Sequence, residues 1–395
     1  MLQERVTTAD EFRGEVREWL EANFPPSLAH KAPGMGGEDP DGDDFRRWRG
    51  SFCDRGFGVP TWPKEYGGAG LSRAEAQVLR EEMRRIGAWN PIATGMGVRM
   101  LGPTLLEYGT EEQKLTHLPR VARGEARWCQ GYSEPGAGSD LASLQTSAID
   151  QGDHFLVNGQ KIWTSGADKA DWIFCLVRTD KSSKHEGISF LLIDMRTPGV
   201  SVKPIRLISG NSPFCETFFV DVKVPKENLV GELNKGWTIA KRLLQFERQR
   251  NEDAPIRASD TRELADIARE YLGADDQGRI ADADLRARII SYEGRRKAFA
   301  QTMARASAES AGAGPTAAGS ILKNVSSTLS QERAELLMEI MGSQGLGWEG
   351  ESYSRAERDA TREWLSGKAT TIYAGSYEIQ NNIIANRVLG LLDHQ

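Results

Sequence analysis

The spacing of apolar residues changes twice along this 395-residue chain, and these changes limit the folds that it can adopt. Up to about residue 125 the spacing is helical, and Ser72 with Glu75 matches a helix-capping box. Between about 126 and 232, short strand-like runs follow one another, separated by turn residues. From Trp237 to the end, the helical spacing returns. The sequence therefore predicts an α+β protein with helices at both ends.

We expect three domains from this pattern: an N-terminal α-helical domain (1–125), a middle β domain (126–236) and a C-terminal helical domain (237–395). Strands without intervening helices indicate a small antiparallel barrel or sandwich. Within "HFLVNGQKIW" (154–163), Asn158-Gly159 separates two strand-like runs and predicts a hairpin turn. A ligand cleft is expected between domains.

Composition excludes several classes of function. Lysine and arginine number 50 against 56 acidic residues, a formal charge of −6, and no basic stripe indicates a nucleic-acid partner. Four dispersed cysteines and five histidines give little support to a metal site. The apolar run "ISFLLI" (188–193) is too short to span a bilayer, and the N-terminus lacks the pattern of a signal peptide. We therefore expect a soluble, cytoplasmic protein without membrane insertion.

A glycine-rich segment, "YSEPGAGSD" (132–140), is the sharpest local feature. Its backbone N–H groups and serine hydroxyls suit phosphate or carbonyl oxygens. It is not the dinucleotide-binding fingerprint, because Leu141 stands where that pattern requires glycine or alanine and no strand–helix unit surrounds it. An ordinary glycine loop is the alternative interpretation.

A second segment, "KIWTSG" (161–166), ends a predicted strand with an aromatic residue beside two hydroxyls. Such an arrangement can flank a planar cofactor ring and form hydrogen bonds with its edge. A core tryptophan at a strand end explains the pattern equally well.

Taken together, "EPGAGSD" (134–140) followed by "NGQKIWTSG" (158–166) resembles the acyl-CoA dehydrogenase family. "PTWPKEYGGAG" (60–70), "VKVPKENLVGE" (222–232) and "IYAGSYEIQ" (372–380) fit the same family, in the same order over nearly the whole chain. The resemblance implies a helical domain, an antiparallel β-barrel domain and a C-terminal four-helix bundle, with FAD bound between domains and subunits. It also implies α,β-dehydrogenation of an acyl-CoA thioester, with electrons passed to an electron-acceptor flavoprotein.

The resemblance carries residue roles with it, position by position. It implies FAD contacts from Gln130, Tyr132 and Ser133 at the pyrimidine edge of the flavin, from Trp163 and Ser165 over its ring and N5 side, and from Ser139, Ser376 and Glu378. Ser139 also matches a residue that contacts acyl-CoA, and Arg248 matches one that approaches it. The resemblance fails at one position: the family's carboxylate base directly follows Ile-Tyr, and here that residue is Ala374.

A replacement base is visible in "WTIAKRLLQFERQRN" (237–251). Trp237, Ala240 and Leu244 recur at spacings of three and four, and Glu247 is the next position on that stripe. A carboxylate on an apolar stripe is costly unless it is paired or functional, and a helix-end ion pair with Arg248 or Arg250 is the structural alternative. Some family members, including isovaleryl-CoA-type enzymes, carry their base on this helix within an "ER" pair, which "FERQR" matches. We therefore expect Glu247 to be the catalytic base.

Moving the base to this helix while position 374 stays small makes a bulky or branched acyl group plausible. The combination resembles bacterial dehydrogenases that act on steroid side chains. A flavin oxidase of the same fold and a catalytically silent acyl-CoA-binding subunit are the alternative functions; Ala374 favours the silent subunit, whereas Trp163, Ser165 and Glu247 argue against it.

Two further departures concern assembly. In homotetrameric members, an Arg-x-x-Phe-Gly-type segment and a Gln-led glycine turn hold the pyrophosphate and adenine of a neighbour's FAD. Here the first site reads "LGADDQGRI" (272–280), in which Asp275 and Asp276 would repel a pyrophosphate, and at the second Glu339 replaces the glutamine. We expect a heteromeric complex with a homologous subunit; a homo-oligomer with other FAD-binding residues is the alternative.

Overall fold

The computed structural model describes residues 9–32, 42–248, 262–310 and 318–391. The chain divides into two compact units, the first formed by Met1–Ile205 with Pro213–Asp260 and the second by Arg206–Ser212 with Thr261–Gln395. The three predicted domain ranges, which follow a different division, stay a prediction. No helix in the described ranges is long and apolar enough to cross a membrane.

The first unit contains a group of helices before its sheet and one further helix after it in sequence. Its helices are α1 (Ala9–Asn23), α2 (Asp43–Asp54), α3 (Arg73–Arg85), α4 (Gly102–Tyr108), α5 (Glu111–Ala122) and α6 (Gly236–Arg248). Ser72 and Glu75 form the predicted capping box of α3, with hydrogen bonds of 3.2 Å and 2.8 Å. Trp48 and Phe52 lie at the centre of the aromatic core between α1, α2 and α3. The predicted N-terminal helical segment is therefore confirmed.

Eight strands form one sheet within the same unit. They are β1 (Trp128–Gly131), β2 (Ser147–Asp150), β3 (His154–Ser165), β4 (Trp172–Arg178), β5 (Ile188–Asp194), β6 (Val200–Ile205), β7 (Phe214–Pro225) and β8 (Leu229–Val230). Their order is β6-β7-β3-β2-β4-β5-β8, with β1 paired to β4.

The predicted antiparallel barrel is wrong in two respects. β1 and β2 both pair with β4 in parallel, so the sheet is mixed. The sheet is also open, because within the described residues no pairing joins β6 to β8. The reason lies in the burial of β4 and β5, which are covered along almost their whole length. One face, with Phe174, packs into a core shared with α4, α5 and α6, and the other face, with Ile173, packs into a separate core. Helices therefore cover a face that barrel closure would otherwise protect.

The predicted hairpin at Asn158-Gly159 is also wrong. β3 runs through both residues, and its pairing with β7 shifts register between Val157 and Gly159. A Cβ on Gly159 would lie 2.6 Å from the Cα of Thr146, so this glycine permits a close approach of two backbones rather than a turn. The Asn158 side chain exchanges hydrogen bonds with Asp221 across the bulge.

The second unit is helical. Its helices are α7 (Leu264–Leu272), α8 (Ala283–Ser310), α9 (Ala318–Met341), α10 (Arg355–Gly367) and α11 (Tyr377–Ile383). Leu264, Ile289 and Ile340 belong to its buried core. The predicted C-terminal helical region is confirmed, although the sequence patterns did not single out α7 or α10.

Candidate active site

A β-bulge at the end of β3 exposes the aromatic residue of the second motif. The register of β3 on β7 shifts between Lys161 and Thr164, and Trp163 between them has a left-handed backbone with φ of 60°. Its side chain is 53% exposed, and its ring meets Phe214 edge-on at 6.1 Å between centroids. A non-glycine residue at positive φ costs on the order of 1–2 kcal/mol, so this orientation is imposed by its surroundings. The bulge therefore presents a large aromatic face to the outside of the unit.

The two hydroxyls beside this tryptophan differ in their surroundings. Thr164 is fully buried, and its hydroxyl has no hydrogen-bond partner among the described residues. Ser165 is half-buried and pairs with Phe214 of β7. The bulge interrupts the alternation of the strand between Lys161 and Thr164, so a shared contact of Trp163 and Ser165 with one cofactor ring stays a prediction.

The glycine-rich segment follows β1 and forms a short, open loop. Glu134 and Ala137 exchange two backbone hydrogen bonds of 3.0 Å, which fix its base. A Cβ on Gly136 or Gly138 would meet no atom within 4 Å, so the backbone here is accessible from one side. Ser139 beyond them is exposed. Backbone N–H groups in such an accessible loop can donate hydrogen bonds to the oxygen of a ligand.

A buried ion pair, which sequence reasoning missed, joins the two motifs. Lys161 is wholly buried, and its Nζ donates to Glu134 Oε1 at 2.8 Å and to the Tyr132 carbonyl at 3.1 Å. The Glu134 carboxylate also accepts the backbone N–H groups of Gln145 at 2.6 Å and Thr146 at 2.9 Å. Burial alone would raise the pKa of Glu134, but the Lys161 charge and these hydrogen bonds outweigh it and hold that pKa below its ordinary value.

A signal for this pair was present in the sequence. Phe155 and Val157 occupy the buried face of β3, and Lys161 falls in the same alternating phase. A lysine is almost never fully buried without a partner, so this position indicated a buried acid elsewhere.

Gln130 lies in β1, and Tyr132 directly follows the end of that strand. Tyr132 lies in the core with its ring edge-on to Phe174 at 6.2 Å, and its hydroxyl has no hydrogen-bond partner among the described residues. Gln130 is half-buried opposite Phe174 on β4. The core position of the Tyr132 ring leaves its backbone as the part that can face a cofactor.

Glu247 lies near the end of α6, on the stripe that the sequence predicted. Ala240 and Leu243 are buried in the core that contains Tyr132, and Leu244 and Glu247 are half-buried. Burial raises the pKa of Tyr132, and the negative charge of Glu247 raises it further. The Glu247 carboxylate is therefore within electrostatic range of the Tyr132 hydroxyl. The helix ends at Arg248, whose side chain lies outside the described residues, as does Arg250.

The remaining predicted residues lie in the second unit, in the turn before α11 and in the first turn of that helix. Ala374 is exposed with φ of 53°, and its carbonyl accepts a hydrogen bond of 3.0 Å from Gln380. Ser376 caps α11 by accepting the N–H of Ile379 at 3.4 Å. Glu378 is exposed, and a backbone hydrogen bond together with the Ser376 hydroxyl lowers its pKa. No carboxylate stands at position 374.

Lys323, on α9, is a second charged residue that sequence reasoning missed. Its Nζ is buried without a hydrogen-bond partner among the described residues and lies 5.8 Å from the centre of the Tyr377 ring. Burial lowers the pKa of Lys323, and the charge of Glu378 opposes that shift. The predicted cofactor contact Glu378 therefore has a cation as a neighbour.

At the two sites that depart from homotetrameric members, Asp275 and Glu339 form ion pairs within the second unit. Asp275 accepts the backbone N–H and the Nε of Arg279, each at 2.9 Å. Glu339 forms a bidentate ion pair with Arg288 at 2.8 Å and 2.6 Å. Asp276 is exposed. Arg279 and Arg288 are thus each already paired with a carboxylate of the same unit.

The residues of the first unit fit a flavin. The exposed face of Trp163 suits a planar ring, and the open backbone at Gly136 and Gly138 suits the oxygens of a cofactor. The first unit contains the predicted site residues Gln130, Tyr132, Ser133, Ser139, Trp163, Ser165 and Glu247. Ser376 and Glu378 belong to the second unit.

Comparison with known proteins decides the family. Three family models match in order: "Acyl-CoA dehydrogenase, N-terminal domain" over residues 7–125, "middle domain" over 129–222 and "C-terminal domain" over 234–389. The chain belongs to the acyl-CoA dehydrogenase family. It is thus an FAD-dependent oxidoreductase, and the predicted family, fold and cofactor are confirmed, apart from the closure and strand directions of the sheet.

Individual relatives extend the match over the whole length. The acyl-CoA dehydrogenase IpdE1 of Mycobacterium tuberculosis is 37% identical over 393 residues, covering 97% of each chain. Among solved structures, the Tcur3481-Tcur3483 steroid ACAD is similar with a TM-score of 0.74 and 30% identity, over 99% of this chain and 100% of that one. The ChsE4-ChsE5 complex from Mycobacterium tuberculosis is similar with a TM-score of 0.71 and 30% identity, over the same shares.

Proposed function

We propose that this acyl-CoA dehydrogenase introduces an α,β double bond into a bulky, steroid-type acyl-CoA, with Glu247 as its base. One observation carries the proposal: position 374 holds an alanine, whereas a half-buried carboxylate stands at Glu247 on α6. The resemblance implies a carboxylate at position 374 in other family members, so the smaller alanine supports a bulky acyl group. The steroid ACAD among the similar structures supports this substrate class.

In the proposed reaction the Glu247 carboxylate accepts the α-proton of the thioester. Burial beside an apolar core makes a carboxylate a stronger base than it is in water, which suits the weak acidity of that proton. Trp163 and Ser165 cover and orient the flavin, and Ser139 and Arg248 bind the acyl-CoA. FAD supplies the hydride acceptor.

We further propose a heteromeric complex with a homologous subunit, and an electron-acceptor flavoprotein as redox partner. Two of the similar structures are named as pairs of different chains. In this chain Asp275 and Glu339 are acidic where a neighbour's FAD would need cations or an amide, and their arginine neighbours are already engaged. The partner is expected to supply the missing arginine and glutamine.

The test is an anaerobic single-turnover assay with linear, branched and steroid acyl-CoA thioesters. We expect the flavin absorbance to bleach fastest with the steroid thioesters, and oxygen consumption to stay low. Preference for short linear thioesters would reject the substrate class. Rapid oxygen consumption would indicate an oxidase, and an unchanged spectrum with every thioester would indicate a silent subunit.

A further inference from the structure

The Lys161–Glu134 ion pair lies where both flavin-facing motifs begin. Glu134 opens the glycine loop, and Lys161 precedes the bulge that exposes Trp163. The backbone reinforces the same junction, because the N–H of Ile162 donates to the Ser133 carbonyl at 2.9 Å. Two distant segments of the chain are thus fastened together next to Ser133 and Trp163.

The same carboxylate fastens the far end of the glycine loop. The loop leaves the sheet at Glu134 and returns at Gln145 and Thr146, whose N–H groups both donate to the Glu134 carboxylate. Thr146 is held in turn by the Arg178 N–H, which donates to its carbonyl at 2.7 Å. One buried carboxylate therefore fixes both ends of the loop.

Stability alone does not account for two buried charges at this point. Removing a lysine and a carboxylate from water carries a large desolvation cost, and replacing a buried ion pair with apolar residues is often neutral or stabilising. Buried ionic groups contribute most clearly where they select one arrangement of the chain.

We propose that Lys161 and Glu134 are positioning residues for flavin reduction, because they hold the Ser133 backbone and the Trp163 ring on one surface. They act through these neighbours and do not touch the reacting atoms. The inference rests on the proposed function in one respect, namely that Ser133 and Trp163 contact the flavin. An error of about 1 Å in such an arrangement can slow a reaction about 100-fold.

The experiment compares Lys161→Met, Glu134→Gln and the double variant with the wild-type protein, alone and in its complex. In the protein without FAD, hydrogen exchange of the Gln145 and Thr146 amides should rise in both single variants. With FAD bound, the visible circular dichroism of the flavin should change, and flavin reduction should slow at least about tenfold with little change in KM. Glu134→Gln preserves side-chain shape and keeps the test decisive should Lys161→Met not fold.

The double variant separates position from stability. Because it leaves no buried charge unpaired, its Tm should recover at least in part, whereas the slow flavin reduction should persist. Recovery of both Tm and reduction rate would overturn the inference.

Glu82→Gln is the matched control. Glu82 is a buried carboxylate of α3 that pairs with Arg13, Arg17 and Arg85 at 2.9–3.0 Å, which lowers its pKa to about 2. Its loss should lower Tm but leave the flavin signal and the reduction rate per bound flavin unchanged. If the Lys161 and Glu134 variants behave in the same way, the pair is structural only. If the wild-type flavin is not reduced by any thioester, the proposed function fails, and the flavin signal with the amide exchange still decides the role of the pair.

Discussion

The hydroxyl of Tyr132 lies in the buried core within electrostatic range of the Glu247 carboxylate, whose charge adds to the effect of burial in raising the pKa of Tyr132. A phenol that follows β1 and a carboxylate of α6 therefore interact electrostatically within the first unit. Since residues around such a carboxylate control its basicity, this relationship connects the fold to the proposed proton transfer.

Replacing the proposed base should abolish turnover without loss of the cofactor. A general base contributes about 10²–10⁴-fold, so Glu247→Gln should lower kcat/KM by at least about 100-fold while the flavin content stays that of the wild type. Glu107→Gln is the control. Glu107 of α4 pairs at 2.8 Å, near the surface, with Arg242, which lies on the same helix as Glu247. Steady-state assays with a bulky thioester decide, and a Glu247→Gln variant that keeps more than about a tenth of the activity would show that the base lies elsewhere.

How much of this site the sequence predicts depends on the kind of pattern. Periodicity located α6 and placed Glu247 on its half-buried stripe, because helical spacing alone determines which residues share a face. The hairpin predicted from Asn158-Gly159 was wrong, because the packing of β2 and Thr146 against the glycine overrides the local turn preference. Sheet closure was also beyond local patterns, since it depends on which helices cover β4 and β5. The Lys161–Glu134 pair joins residues 27 positions apart, and only tertiary structure identifies the partner.

Tyr132→Phe tests which part of Tyr132 meets the flavin. The hydroxyl is buried without a hydrogen-bond partner among the described residues, so its removal relieves a desolvation cost rather than breaking a bond. We expect Tm to stay the same or rise slightly, and the FAD dissociation constant to stay within about twofold of the wild-type value, because the ring lies in the core. Titration of the FAD-free protein with FAD measures this, and a large loss of affinity would place the phenol itself at the cofactor.

Ser165→Ala tests the hydrogen bond proposed near flavin N5. Such a hydroxyl stabilises charge that develops during hydride transfer, so the rate of flavin reduction should fall more than the affinity for FAD. Thr164→Val is a matched control, since the neighbouring Thr164 hydroxyl is buried and has no hydrogen-bond partner among the described residues. Stopped-flow reduction and FAD titration of both variants give the comparison. Loss of FAD with normal reduction of the remainder would mark Ser165 as a binding residue only.

His117 should make the protein sensitive to mild acid. It is buried with its ring edge-on to Trp128 and Trp172, and burial, helped by the charge of Arg120, lowers its pKa to about 4. The unfolded value is about 6.5, so the unfolded chain binds this proton more readily. Stability from this group is therefore complete above about pH 6.5 and falls as the pH drops towards 4, by on the order of 3 kcal/mol. His117→Leu should flatten denaturation midpoints over this range, and parallel curves for both proteins would contradict the assignment.

The last prediction concerns assembly and rests on charges that are already paired. Arg279 is held by Asp275 through its side chain and its backbone, and Arg288 is held by Glu339 through two hydrogen bonds. Neither arginine is therefore available to the phosphates of a neighbour's FAD, and the exposed Asp276 adds repulsion. In a homo-oligomer every subunit would present this same surface to the cofactor of another.

We therefore expect this chain, expressed alone, to contain less than one FAD per subunit. Adding a homologous partner should raise the FAD content to one for each complete binding site. Glu339→Gln removes the carboxylate, restores the glutamine and releases Arg288, so it should increase the FAD content of the chain alone. Asp284→Asn is its control, because Asp284 also pairs with Arg288, at 3.6 Å, but leaves Glu339 in place. Native mass measurement with flavin quantification decides. One tightly held FAD per subunit in a homogeneous homotetramer of the wild-type chain would rule out the heteromeric assembly.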